Sequence, residues 1–219
     1  MTLRAHFAEF LGTALIATTV IGSGIMAQQL SDDILLQLLV NAIATVFILA
    51  LVIWLLAPVS GAYFNPAVLI VALSRRMISL RDFLSLTLVQ CAGAVVGAVV
   101  ANGIFERALI EPSTNVREGG WLIVSEILAT AGLVAAIFIS INQGRSENVF
   151  WLVSMWIGAA YFFTSSTSFA NPAITLGRSF TDSFAGISLS SVPGFVLAQI
   201  TGAYLGNLIA NLLVKPIKN

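Results

Sequence analysis

Two Asn-Pro-Ala triplets, Asn65-Pro66-Ala67 and Asn171-Pro172-Ala173, and two acids inside apolar runs, Glu9 and Glu126, are the residues here that could do chemistry. An asparagine amide offers two N–H donors and one carbonyl acceptor without a net charge, so a facing pair can hold neutral polar molecules. A carboxylate inside a membrane span either carries protons or accepts hydrogen bonds from buried donors, and its presence there points to function. Other chemistries lack material. Cys91 is the only cysteine and His6 the only histidine, so a disulfide, a cysteine-rich zinc site and a catalytic triad are all disfavoured. His6 reads as an interfacial side chain. No clustered nucleophile, base or metal set is present, so the expectation is no enzyme, no metal and no cofactor.

The elements that must position these residues are membrane spans. Of 219 residues 58% are apolar and 9% charged, against about a quarter charged in a soluble domain. The net charge of zero argues against nucleic acid as a partner and leaves the lipid bilayer. Six apolar runs approach the roughly 20 residues needed to cross it: 7–27, 34–57, 83–105, 121–141, 149–165 and 192–214. With a cytoplasmic N-terminus, Arg4, Arg75, Arg76, Arg81, Arg145, Lys215 and Lys218 fall inside. Arg107, Arg117 and Arg178 then fall outside with Asp32, Asp33, Glu106, Glu111 and Glu118. The positive-inside rule prefers that orientation. The expectation is a multi-pass protein of the cell (inner or plasma) membrane with both termini cytoplasmic.

The chain is also written twice. AEFLGTAL (8–15) matches SEILATAG (125–132), aligning Glu9 with Glu126 and Thr13 with Thr130. QCAGAVVGAVVAN (90–102) matches QITGAYLGNLIAN (199–211), with one Asn-Pro-Ala between the matched ends of each half. We expect one transmembrane channel domain over 1–219, with repeat 1 at about 1–110 and repeat 2 at about 111–219. Three spans per half is an odd number, so the second half enters the membrane inverted and the site lies near the midplane. The internal counterpart of 7–27 at 121–141 makes the first span part of the mature fold rather than a signal peptide. Gly93, Gly97, Gly202 and Gly206, at four-residue spacing, read as helix-packing positions. Trp54, Trp121, Trp151 and Trp156 read as interface anchors or lipid-facing bulk.

Asparagine is a strong N-cap and proline is favoured at the first helical position. The nine residues PAVLIVALS after Asn65 would span roughly 14 Å, half a hydrocarbon core. Each triplet therefore predicts a half-helix preceded by an extended segment, 60–64 and 166–170, the second half-helix running to about Thr181. Dipping from opposite faces, the two would meet N-terminus to N-terminus. Non-helical backbone at that depth must be buried in protein or line a wet cavity.

The paired triplets, AEFLGT in the first span and SGAYFNPAV before the first half-helix resemble the aquaporin and aquaglyceroporin (major intrinsic protein) family over almost the whole chain. The resemblance implies an all-α membrane protein of six transmembrane helices plus two re-entrant half-helices, assembled as a homotetramer with one pore per subunit. It implies passive conduction of water or small uncharged solutes. It also implies that Glu9 and Glu126 accept hydrogen bonds from the re-entrant loops.

One departure is plain. Most aquaporins carry Arg directly after the second Asn-Pro-Ala, as part of a narrow filter; this chain carries Ile174. By the family's alignment the other filter positions fall on Thr45, Ala159 and Ser168, all small. Arg178 either swings back to the mouth or pairs with Asp182 at the surface, and the sequence favours the surface. A ring so built should be wide, passing glycerol-like polyols, urea-sized molecules or metalloid hydroxides such as arsenite besides water. Two rivals stand beside this reading: a proton-coupled secondary transporter using Glu9 and Glu126, and a structural role in membrane junctions.

Overall fold

The structure, a computed structural model, describes residues 1–215; Lys218, counted above among the inside charges, lies outside them. Its helices are α1 (Leu3–Leu30), α2 (Ile34–Ser60), α3 (Pro66–Ser74), α4 (Leu80–Ile104), α5 (Gly120–Asn142), α6 (Val149–Phe163), α7 (Pro172–Arg178) and α8 (Val192–Leu213). The described residues hold no strand. Five helices are long and apolar enough to cross a membrane by themselves. The sixth, α6, has 15 residues and is preceded by a 3-10 turn at Ser146–Asn148.

Several boundaries have a local cause. Thr2 Oγ1 accepts from Ala5 N at the start of α1, Asp33 Oδ1 from Leu35 N in α2 and Ser79 Oγ from Asp82 N in α4. These side chains satisfy backbone donors that a first helical turn leaves open. Helix α2 runs through Pro58, three residues past its sequence-predicted end. Proline costs one ladder bond there, and Gly61, at φ 91°, then closes the helix by donating to Ala57 O.

The two halves pack alike, α1 on α4 and α5 on α8, while α3 and α7 each lie against both α4 and α8. The four spaced glycines set these crossings. A Cβ on Gly93 would strike the carbonyl of Phe10, on Gly97 that of Ala14, on Gly202 that of Ile127, and on Gly206 that of Ala131. Helix backbones touch directly in both repeats, as small-residue spacing allows. The tryptophans divide: Trp54, Trp121 and Trp151 are exposed. Trp156 instead packs over Gly132 and donates Nε1–H to Ala129 O at 2.8 Å, tying α6 to α5. It is an interhelical residue rather than a lipid anchor.

Candidate functional site

Both half-helices begin where the triplets stand. Asn65 Oδ1 accepts from Ala67 N at 2.8 Å, and Asn171 Oδ1 from Ala173 N at 3.0 Å and Ile174 N at 3.3 Å. Pro66 and Pro172 open the two helices. Each Asn amide also crosses to the other loop: Asn65 Nδ2 donates to Ala170 O at 2.8 Å, and Asn171 Nδ2 to Phe64 O at 2.7 Å. One N–H of each amide is thereby spent on the junction, leaving one per side chain free. Helix α7 ends at Arg178, three residues short of the expected Thr181, where Ser179 and Phe180 fold back onto Leu176 and Gly177.

The segments before the triplets are held open by the two acids. Glu9 accepts from Ser60 Oγ (2.6 Å), Tyr63 N (2.9 Å), Phe64 N (2.7 Å) and Gln90 Nε2 (2.7 Å). Glu126 accepts from Phe169 N (2.9 Å), Ala170 N (2.9 Å) and Gln199 Nε2 (2.7 Å). Both acids are fully buried. The loops need this support because Ala62, Phe64, Ser168 and Ala170 all sit at φ between 48° and 53°. Such non-glycine residues cost on the order of 1–3 kcal/mol each and persist only where surroundings hold them. Successive N–H groups turned toward a carboxylate leave the loop carbonyls free for other partners.

A cavity of 590 Å³ follows this junction. It is lined by Met77 and by Ser146 and Glu147, from the segments that follow α3 and α5, by Asn65 and Asn171 at the junction, and by Ser168, Phe169 and Arg178, which lie before α7 and at its C-terminal end. Thr45, Ile174 and Tyr161 also line it, and Thr45 Oγ1 lies 3.0 Å from the Tyr161 hydroxyl. Ser168 Oγ is buried with no hydrogen-bond partner among the described residues.

The profile of the major intrinsic protein family matches residues 1–170. The chain is 46% identical to aquaglyceroporin AqpS of Rhizobium meliloti (strain 1021), over 98% of this chain and 92% of that protein. The chain belongs to the major intrinsic protein family. It is also similar to aquaporin-2 of Homo sapiens, 26% identical over 97% of this chain and 79% of that one. The X-ray structure of the aquaglyceroporin from Plasmodium falciparum superposes with a TM-score of 0.71 at 20% identity. That alignment covers 97% of this chain and 96% of the other, and it carries the fold.

Within this major intrinsic protein fold two expectations about the filter fail. Ala159 lies on the exposed face of α6 and does not line the cavity; Ile157 and Tyr161 do. Two residues along a helix is a turn of about 200°, enough to carry a side chain from lipid to interior. Arg178 is 2% exposed, lies over the Phe169 ring at 3.4 Å and donates Nε–H to Ala185 O. It is a cavity residue, not a surface partner of Asp182, whose Oδ1 accepts from Thr114 N and Oγ1. The small ring expected from the sequence is therefore joined by an arginine and two aromatics. An arginine seven residues into a half-membrane apolar segment was the signal for it. Tyr161 carried no such mark.

Sequence reasoning also missed Arg75, at the end of α3. Its guanidinium donates to Asn207 Oδ1 (2.6 Å), Asn142 Oδ1 (2.8 Å) and Asn211 Oδ1 (2.8 Å), and lies 4.3 Å from the Phe138 centroid. This fastens the C-terminal end of one half-helix to α5 and α8.

Proposed function

We propose that the protein is a passive transmembrane channel for water and small neutral solutes, with its selective region at Thr45, Tyr161, Ser168, Ile174 and Arg178. The observation that carries this is the single cavity running past Asn65 and Asn171 to Arg178. Two free amide N–H groups and two helix N-termini at its middle favour neutral, hydrogen-bonding molecules and oppose cations. A fixed guanidinium at one end strengthens that opposition. Arg178 donors and the unpaired Ser168 hydroxyl beside aliphatic Ile174 suit a molecule with one polar and one apolar edge. Glycerol-like polyols answer that description best, followed by urea-sized molecules and metalloid hydroxides such as arsenite.

The channel sits in the plasma membrane with both termini cytoplasmic, and assembles as a homotetramer with one pore per subunit. The four donors on Glu9 and the three on Glu126 support a structural part for these acids rather than proton transport. Stopped-flow light scattering on proteoliposomes, under water, glycerol and urea gradients, tests the reading. Glycerol and water should both pass without an energy source. Solute flux that collapses when a protonophore is added would replace the channel with the coupled transporter.

A further inference from the structure

Arg117 lies on the loop between α4 and α5, away from the cavity lining, yet its bonds converge on the turn that holds Arg178, a lining residue. Its Nε donates to Gly186 O at 2.9 Å and its Nη2 to Phe184 O at 3.3 Å. The carbonyl between these two, Ala185 O, accepts Nε–H of Arg178. Three consecutive carbonyls thus hold two guanidinium groups. Both groups lie over one ring, with Cζ 5.1 Å (Arg117) and 3.4 Å (Arg178) from the Phe169 centroid. Among the described residues neither is paired with a carboxylate.

The turn that presents these carbonyls is fastened on its other sides. Gly186 N donates to Ser183 O at 2.8 Å, Asn115 Nδ2 to the same oxygen at 2.7 Å, and Phe184 N to Gln28 Oε1 at 2.7 Å. The Gly186 N–H bond sets the peptide unit of Ala185 O, and Ile187 N, donating to Arg178 O at 3.3 Å, sets that of Gly186 O; the Phe184 carbonyl has Arg117 as its partner. Arg117 clamps the two carbonyls that flank Ala185 O, and a planar guanidinium with two donors in fixed relation holds the peptide units it spans in one relative orientation. A long, flexible arginine held by one Nε–H bond is only as well placed as the carbonyl it bonds.

We propose that Arg117 is a positioning residue for selectivity: it orients the Phe184–Gly186 turn so that Ala185 O fixes Arg178 at the cavity end, and its charge adds to cation exclusion there. The inference rests on the reading of Arg178 as a selective group.

The experiment compares Arg117→Lys, Arg117→Met, Arg178→Met and the double Met variant in proteoliposomes, each checked for intact assembly by gel filtration. Two quantities are read: the glycerol-to-water permeability ratio, and proton leak under an imposed potential. Lysine keeps a charge but cannot span two carbonyls, so Arg117→Lys should shift the ratio at least about threefold while leak stays native. Arg117→Met should shift the ratio in the direction of Arg178→Met and raise the leak. The double variant should move the ratio little beyond Arg178→Met, since coupled residues do not add. A native ratio in Arg117→Lys, or full additivity in the double variant, overturns the inference; should Arg117→Met fail to assemble, the lysine variant decides. A native ratio and leak in Arg178→Met would instead remove the selective role of Arg178 itself.

Discussion

Asn65 and Asn171 each donate a side-chain hydrogen bond to the backbone carbonyl that immediately precedes the other, Ala170 O and Phe64 O. The pair is therefore a lock as well as a lining. Each asparagine caps its own half-helix with Oδ1 and fastens the opposite loop with Nδ2.

Replacing Asn171 by Leu removes both roles. The lost cap alone should cost about 0.5–2 kcal/mol. Solute and water flux should fall sharply in protein that still reaches the membrane, and thermal unfolding in detergent should shift down. Native flux from a well-assembled Asn171→Leu protein would contradict the junction described here.

Glu9 ought to separate glutamine from leucine. Glu9→Leu leaves the donors of Ser60, Tyr63, Phe64 and Gln90 without their acceptor, at about 1–3 kcal/mol for each one buried and unpaired. Glu9→Gln keeps one oxygen but turns an N–H₂ toward donors, so its rescue is partial. The expected order of stability is native, then Gln, then Leu, read by detergent melting and yield of intact oligomer. A proton carrier would behave otherwise, losing flux equally with either substitution.

Ile174 stands one helical turn before Arg178 in α7. An arginine there would add bulk to the cavity and a like charge at i,i+4, which is unfavourable in itself. Ile174→Arg should lower glycerol permeability more than water permeability, because the larger molecule meets the lost width first. Paired measurements on native and variant vesicles decide it, and an equal fall in both would contradict the placement.

Gly97→Ala drives a methyl group into the Ala14 carbonyl and the Ala17 side chain across the α1–α4 contact. Overpacking of this kind costs about 1–3 kcal/mol, and the same should hold for Gly206→Ala against Ala131. Both variants should melt earlier than native protein. An Ala at Gly120, where nothing lies within reach of a Cβ, provides the neutral control.

The architecture was legible because the chain states it twice. A cap, a proline and a short apolar run define each half-helix locally, and a buried acid at matching places identifies what holds the loops. Register on α6 was not legible. Nothing in VFWLVSMWIGAAYFF marks the inward face, so counting from an alignment chose Ala159 where packing against α2 and α5 chooses Ile157 and Tyr161. Arg178 was misplaced for a related reason. Its partners, Ala185 O and the Phe169 ring, come from segments folded over α7, and no spacing within the helix reveals them.

The brevity of α6 has a consequence for the surrounding lipid. Fifteen helical residues reach about 22 Å, while a hydrocarbon core is about 30 Å thick. Where lipid meets the flank on which Trp151, Met155, Phe162 and Phe163 are exposed, the bilayer must thin or the helix must draw its flanking turns inward. Acyl chains of different length therefore load this one wall unequally, so the thickness of the host membrane becomes a mechanical variable acting on the helix whose opposite face carries Tyr161.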